Sequence, residues 1–234
     1  MAKQSILNAR QRSMLQTVGY PVGMDIQQLR DALTQSDSSI RLKAVLAAGT
    51  HPDDAALDVL VAQCSHEPDF YVRDMLTWAI TRLPRDITIP TVRAELASPI
   101  PQARSQVLHT LSKIRVPEAW PWIFPHMLRD DDDEVVRVAW RLAVAIVPEG
   151  SEPELADVLV SQFDRGNMEV KTSLARALAS LAAWYTPALD LVDAATRSGD
   201  LGVRIHATAT RAIIHDPEIG FAGIFAEAKR SLGG

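Results

Sequence analysis

The run Asp69-Phe70-Tyr71-Val72-Arg73 decides the fold, because its order of an acid, an apolar residue and a base returns along most of the chain. Asp133-Glu134-Val135-Val136-Arg137 repeats it most closely. The closing basic residues, which we call the anchors, recur every 31 to 34 residues: Arg41, Arg73, Arg104, Arg137, Lys171 and Arg204. Four residues before them stand Asp37, Asp69, Ile100, Asp133, Asn167 and Asp200. A constant period of this length is typical of a solenoid rather than a closed globule.

Each repeat is predicted to contain two helices. In the second repeat, acids after His51-Pro52 start a helix and His66-Glu67-Pro68 ends it. Asp69 then caps a second helix, because its side-chain oxygen can accept a hydrogen bond from a free backbone N–H. The second helices carry apolar stripes with helical spacing, such as Ala103, Val107, Leu111 and Ile114. We therefore expect an all-α protein, a right-handed α-α solenoid of about six helical hairpins with a C-terminal capping helix.

The repeats are expected at residues 25–50, 51–84, 85–116, 117–148, 149–185 and 186–216. Residues 1–24 form an N-terminal extension, either partly ordered or an extra helix, and residues 217–234 form the capping helix. The third repeat departs from the pattern, because Ile100 stands where an Asp cap is expected and Pro101 follows it. Proline geometry replaces the cap there, and we expect irregular stacking between the second and third repeats.

The anchors predict a ladder between repeats. A cation in the first turns of a helix faces the positive end of the helix dipole, at a cost of roughly 0.3–1 kcal/mol. Its recurrence therefore predicts a compensating partner, most simply the capping Asp of a neighbouring repeat. We assign this ladder to repeat register and the apolar stripe to stability. Its members are Asp37, Arg41, Asp69, Arg73, Arg104, Asp133, Arg137, Asn167, Lys171, Asp200 and Arg204.

The Asp-x-x-Val-Arg core that opens the second helix of each pair resembles a HEAT repeat. The short period is similar to that of the phycobilisome-lyase-type HEAT-like proteins, and the resemblance covers residues 25 to 216. It implies an α-α solenoid whose second helices line the concave side. It does not imply one activity, because HEAT-like proteins include scaffolds, adaptors, lyases and DNA-repair enzymes.

The sequence offers no catalytic signature. It contains no phosphate-binding glycine loop, no nucleophile elbow and no pair of histidines at i, i+4 spacing. The acidic run Asp130–Glu134 could hold Ca²⁺, but we interpret it as a turn that caps and charges a helix. The aromatic run Trp120–Pro125 is interpreted as packing, with exposure of a ring as the alternative. We expect no catalytic residues, no metal and no cofactor.

One surface could recognise a partner. The positions one and five residues after the anchors fall near the concave side if the family geometry holds. Polar and aromatic residues gather there in the second, third and fifth repeats: Asp74, Trp78, Ser105, His109, Thr172 and Arg176. They form the candidate binding surface, and the alternative is an ordinary solvated helix face.

The function that the sequence favours is a scaffold or adaptor, rather than an enzyme, that binds a protein or peptide on its concave face. One alternative is a HEAT-like DNA glycosylase for alkylated bases, which the net charge of −5 opposes. Another is a lyase or chaperone for a tetrapyrrole-bearing partner. We expect neither a nucleic-acid nor a membrane partner, and the oligomeric state stays open. The lone Cys64 and the lack of a signal-like apolar run favour the cytoplasm.

Overall fold

The computed structural model describes residues 24–233, so the predicted N-terminal extension lies, except for Met24, outside the described residues. Within this range the chain forms thirteen α-helices and no strand. They pair in chain order, and we call the first helix of a pair the A helix and the second the B helix. The A helices are α1 (Ile26–Leu33), α3 (Leu57–Cys64), α5 (Arg85–Ala94), α7 (Trp120–Ile123), α9 (Glu152–Val160) and α11 (Pro187–Ala195). The B helices are α2 (Ser38–Thr50), α4 (Phe70–Ile80), α6 (Pro101–Ile114), α8 (Asp133–Ile146), α10 (Met168–Ala182) and α12 (Leu201–His215), and α13 (Phe221–Leu232) follows them.

The B helices form the inner layer of the stack. Each B helix packs along the B helices of the neighbouring pairs, and these contacts exceed those between neighbouring A helices everywhere except between the second and third pairs. We therefore interpret the B layer as the concave side that the resemblance implies. The predicted all-α helical repeat fold is confirmed. Its division into six repeats over residues 25–216 remains our interpretation.

The hydrophobic core is continuous along the stack. It runs between the A and B layers from Leu29 in α1 to Ala207 in α12. On α4 the residues Val72, Leu76 and Ile80 face this core and are at most 1% exposed. Burying a side chain of this size contributes about 1.5–3 kcal/mol, so the repeated stripe accounts for the cohesion of neighbouring pairs.

The C-terminal helix closes one end of the stack. Helix α13 begins at Phe221, four residues after the Pro217 at which the sequence predicted its start. It packs mainly along α12. Phe221 joins a separate small apolar cluster with Ala209 and Ile213 of α12. In the described part of the chain, helix α13 therefore covers a side of α12 that no such helix covers on the earlier B helices.

Polar caps define where the B helices begin. The side chains of Asp37, Asp69, Asn167 and Asp200 accept hydrogen bonds from backbone N–H groups of the first turn. In the fourth repeat Asp132, not the predicted Asp133, is the cap, because its side chain accepts from the N–H groups of Glu134 and Val135. Ile100 makes no side-chain cap, and Pro101 occupies the first turn of α6.

The expected irregularity between the second and third repeats is a polar seam. Gln102 donates to the carbonyl oxygens of Cys64 and Glu67, both at 2.9 Å. Gln106 lies one turn further along α6 and donates at 3.3 Å to the carbonyl of Arg73. Gln106 therefore places an amide between α4 and α6, and Gln102 ties the start of α6 to the end of α3 and the turn that follows it.

Two glycines allow a test of the helix packing. Gly49 in α2 is buried, and a Cβ there would overlap the Trp78 ring, whereas a Cβ on Gly223 in α13 would meet nothing within 4 Å. We expect Gly223→Ala to raise the free energy of unfolding by up to about 1 kcal/mol through helix propensity. Gly49→Ala should lower it by about 1–3 kcal/mol, because overpacking outweighs the same gain. Urea unfolding followed by circular dichroism measures both, and equal shifts would contradict the packing of Trp78 on α2.

His206 is a buried polar group of the B layer. It is 0% exposed in α12, and its ring lies 4.9 Å from that of Phe163. Its Nδ1 accepts a hydrogen bond from the N–H of Asp164 at 3.1 Å, and its Nε2 lies 3.0 Å from the carbonyl oxygen of Lys171. A neutral ring with the proton on Nε2 satisfies both contacts. Burial lowers the pKa of His206 to about 4.

This burial predicts a loss of stability in mild acid. The unfolded chain protonates His206 near pH 6.5 and the folded chain near pH 4, so the unfolded state binds more protons between these values. The contribution of His206 to the free energy of unfolding is therefore fully present above pH 6.5. It falls by about 3 kcal/mol as the pH approaches 4. Unfolding free energies measured across this range check the effect. His206→Gln should be less stable at neutral pH, but its free energy of unfolding should fall less between pH 6.5 and pH 4. If the free energy of the variant falls as steeply with pH as that of the unmodified protein, other groups cause the loss.

Candidate functional site

The anchors fold back onto the turn that precedes their own helix. Arg41 donates from Nη1 to the carbonyl oxygens of Gln35 at 2.8 Å and Ser36 at 2.9 Å. The same backbone bonds are made by Arg73, Arg204 and, with one carbonyl, Arg104. Carbonyls in such a turn lack helical partners. They therefore offset the unfavourable position of the cation near the positive end of the helix dipole.

Arg41 also makes a buried ion pair with the next repeat. Its Nε and Nη2 donate to the two carboxylate oxygens of Glu67 at 2.8 and 2.7 Å, and the side chains are 7% and 0% exposed. The carboxylate also accepts from Gln63 and from the N–H of Asp69. Burial acts to raise the pKa of Glu67, but the hydrogen bonds from Arg41, Asp69 and Gln63 outweigh it and bring the pKa below its ordinary value. The pair is therefore charged and fully bonded.

Arg104 and Asp130 repeat this geometry two periods later, with both hydrogen bonds at 2.8 Å. Asp130 also accepts from the N–H of Asp132, the cap of α8, at 2.9 Å. The partner of the anchor is thus an acid two residues before the next cap, and not the capping Asp that the sequence predicted. An acid in that place can accept from the cap's own N–H and from the anchor of the preceding repeat at once.

The later junctions between repeats contain other ion pairs. Arg165, at the corresponding place before the cap Asn167, donates back to Asp133 at 3.1 Å, so the charges are exchanged relative to the earlier seams. Arg137 pairs with Glu134 and Glu169, and Lys171 lies 2.6 Å from Asp164 of its own turn. The predicted ladder residues are therefore engaged in contacts within and between repeats, but not as one uniform series.

Removal of Glu67 tests the buried pair. Glu67→Ala should lower the free energy of unfolding by about 3–5 kcal/mol, because it leaves the Arg41 guanidinium buried without a counter-charge. Glu67→Gln keeps part of the hydrogen bonding and should cost less. The control is Asp131→Ala, an exposed acid of the neighbouring run, which should change stability by no more than about 0.5 kcal/mol. Chemical denaturation compares the three, and a Glu67→Ala value close to that of the control would refute the assignment.

The candidate binding surface faces away from the core. On α4 the core residues Val72, Leu76 and Ile80 stand one residue before the anchor Arg73 and three and seven residues after it. Residues one and five after it are rotated from these by about 200° and point to the opposite side. Five of the six candidates, namely Asp74, Trp78, Ser105, His109 and Thr172, are partly exposed, and Arg176 is exposed. The structure therefore places them on the accessible side of the B layer.

This row is not accessible in every repeat. In the fourth repeat Val138 and Leu142 are buried, and Arg141 is exposed instead. The cap Asp132 stands one residue further from the anchor than the caps of α2, α4, α10 and α12, which shifts the outward face by one position. In the sixth repeat Ile205 and Ala209 are buried on the side where α13 packs. Arg141 was missed because the row was counted one and five residues after the anchor Arg137, which gives Val138 and Leu142.

Asp74 and His109 are brought together by adjacent B helices. His109 Nε2 lies 3.8 Å from Asp74 Oδ1, a distance that suits an ion pair when the imidazole is protonated. The His109 contact holds the pKa of the Asp74 carboxyl below its ordinary value, with Lys113 adding a smaller effect. The two helices thus supply an acid–base pair at the polar seam.

The other candidates have separate surroundings. Trp78 packs its ring over Gly49 of α2 and keeps part of its surface accessible. The hydroxyl of Ser105 donates to the carbonyl of Gln102 and that of Thr172 to the carbonyl of Met168. Thr172 and Arg176 lie on α10, which α8 separates from the Asp74–His109 pair. The six residues therefore share a face without forming one pocket.

Other groups that the sequence singled out have structural contacts. Within the acidic run, Asp130, Asp132 and Asp133 bind Arg104, the start of α8 and Arg165 respectively. Trp120 stacks on Phe124 at 4.5 Å, and the Arg93 guanidinium lies 4.6 Å from the Trp122 ring. Cys64 is buried in α3, where burial raises the pKa of its thiol to about 12.

Two features are absent from residues 24–233. No group of three or more His, Cys, Asp or Glu side chains is placed to hold a metal ion. In the same part of the chain no helix is long and apolar enough to cross a membrane.

Comparison with known families agrees with this architecture. Residues 58–145, from α3 to α8, match the family of HEAT repeats. Residues 58–145 thus match HEAT repeats, and the resemblance that the sequence indicated is confirmed over this part of the chain. A search of the curated proteins found no matching relative.

Two solved structures are similar over most of the chain. One is the crystal structure of an engineered protein, with 20% identity over 82% of this chain and 97% of that one, at a TM-score of 0.44. The other is the complex of CpcE and CpcF of phycocyanin lyase from Nostoc sp. PCC7120, with 20% identity over 88% of this chain and 82% of that one, at a TM-score of 0.40. Likenesses at this level say nothing about the activity of this protein.

Proposed function

We propose that the protein is a non-catalytic HEAT-repeat scaffold that holds a protein or peptide partner on its concave face. The observation that supports this is the accessible row of polar and aromatic side chains on the B layer in the second, third and fifth repeats. The anchors are used to join repeats, whereas this row is left facing outward. A rigid layer that presents such side chains is the usual binding surface of an α-solenoid.

Trp78 and Arg176 supply the strongest recognition groups. Trp and Arg are the residue types most enriched among residues that dominate binding energy. The Trp78 ring is fixed by its contact with α2, so little conformational freedom is lost when a partner covers its accessible side. Arg176 is exposed in the middle of α10 and can offer a planar guanidinium to a carboxylate.

Affinity capture tests this function. The tagged protein is used as bait in an extract of the cells that naturally produce it, and retained proteins are identified by mass spectrometry. We expect Trp78→Ala with Arg176→Ala to reduce a specific partner about tenfold or more. The matched control, Asp58→Ala with Asp190→Ala, changes two exposed side chains of the A layer and should retain it.

Each variant is first shown by circular dichroism to keep the helical fold. Equal capture by both double variants and the unmodified protein would overturn the concave-face assignment. A gel shift with duplex DNA at low salt and an absorption titration with a free tetrapyrrole are run beside it. Binding in the first would favour the glycosylase, and a spectral shift in the second would favour the lyase or chaperone.

A further inference from the structure

Charges of opposite sign are separated between the two layers. Among the A helices, α9 carries Glu152, Glu154 and Asp157, α11 carries Asp190 and Asp193, and neither contains Lys or Arg. Among the B helices, α2, α6 and α12 contain Lys or Arg but no acid. The net charge of −5 of the whole chain, to which the turns also contribute, therefore does not report the charge of either layer.

The few acids of the B helices are already engaged. Asp133, Glu134 and Glu169 lie in the first turns of α8 and α10, where the helix dipole favours them, and they pair with Arg165 or Arg137. Asp74 of α4 contacts His109. Beyond their first turns the B helices thus present basic groups whose charge is not balanced within the layer.

One exposed cation stands on the outward face of each of four successive repeats. Lys113 follows its anchor by nine residues, one helical turn beyond His109, and therefore lies on the same face of α6. Arg82 stands at the corresponding place in the second repeat, in the turn that follows α4. Arg141 and Arg176 occupy this face in the next two repeats. All four are exposed, and within residues 24–233 none of them has an ion-pair or side-chain hydrogen-bond partner.

Successive cations belong to neighbouring repeats, so an extended chain that crosses the B helices can reach each in turn. Packed helices lie about 8–10 Å apart, and an extended peptide rises about 3.3 Å per residue. Three residues of such a peptide therefore span one repeat. We propose that the concave layer binds an extended acidic peptide segment whose carboxylates pair with Arg82, Lys113, Arg141 and Arg176. This rests on the proposed scaffold function and specifies the chemistry of its partner.

The charge distribution favours a peptide over a nucleic acid. Glu134 and Glu169 have largely exposed side chains and stand seven residues before Arg141 and Arg176, about 10 Å along the same helices. A duplex is broader than the row of cations and would bring phosphates against these carboxylates. A single extended peptide can follow the row and avoid them.

A peptide-binding titration tests the proposal. The probe is a fluorescein-labelled peptide of about 13 residues with Glu at every third position and Gly or Ser between. The matched control peptide carries Gln in place of each Glu. We expect the Glu peptide to bind at low salt, to bind at least about tenfold more tightly than the Gln peptide, and to weaken between about 50 and about 200 mM salt.

Charge-reversal variants locate the site. Arg141→Glu with Arg176→Glu should weaken binding of the Glu peptide about tenfold or more. The control is Arg30→Glu with Arg197→Glu, which makes the same change in net charge at exposed positions on α1 and after α11. It should retain most of the affinity, because neither arginine belongs to the concave row. Circular dichroism verifies that both variants are folded.

Three outcomes would overturn the proposal: no preference for Glu over Gln, equal weakening by both double variants, or tighter binding of duplex or single-stranded DNA through Arg141 and Arg176. These results are separable from the test of the scaffold function. If a captured partner depends on Trp78 and Arg176 while the Glu peptide does not bind, the acidic-peptide assignment fails and the scaffold stands. If the Glu peptide binds as expected and no captured partner depends on Trp78 and Arg176, the scaffold role fails. The basic row then remains as a site for acidic peptides.

Discussion

The packing of each helix pair on its immediate neighbours is the interaction on which the structure depends. The apolar core passes from pair to pair without a contact that joins the ends of the described chain, so its cohesion is a series of local interfaces. The buried Arg41–Glu67 pair is best understood within this arrangement. Desolvation offsets much of the attraction in such a pair, but a fully bonded carboxylate between two repeats admits few alternative alignments. The apolar stripe thus supplies stability, and the pair fixes how one repeat sits on the next.

The spacing of the anchors and the apolar stripes was enough to predict the helical repeat, because both are properties of one helix and its nearest neighbours. The partner of each anchor was not predictable in the same way. The position two residues before the cap varies, with Glu67, Ser98, Asp130, Arg165 and Ser198 in successive repeats. A pattern defined by recurrence cannot reveal a contact that changes from one repeat to the next. The cap at Asp132 was missed for a simpler reason: several adjacent acids can each supply the same hydrogen bond.

For the candidate binding surface, too, the spacing within one helix was predictable, whereas the contacts with other helices were not. Helical spacing correctly indicated which side of the B helices faces away from the core in the second, third and fifth repeats. The capping helix was predicted, but helical spacing within the sixth repeat could not indicate that this helix would cover Ala209 on α12. Nor could it place the Trp78 ring over Gly49, which needs the approach of α4 to α2. Residues whose helical spacing predicts an outward position therefore differ in how much of their side chain is accessible to solvent.

Net charge is a poor guide to the binding surface of a layered protein. At physiological ionic strength the Debye length is about 8 Å, comparable to the separation of packed helices. The acids of the A layer are thus largely screened from a ligand on the B layer, whose local potential follows from its own side chains. An overall excess of acids argues against broad nucleic-acid binding, which needs a wide basic surface. It does not argue against a narrow basic row, because a single extended chain meets only the charges within one Debye length of its path.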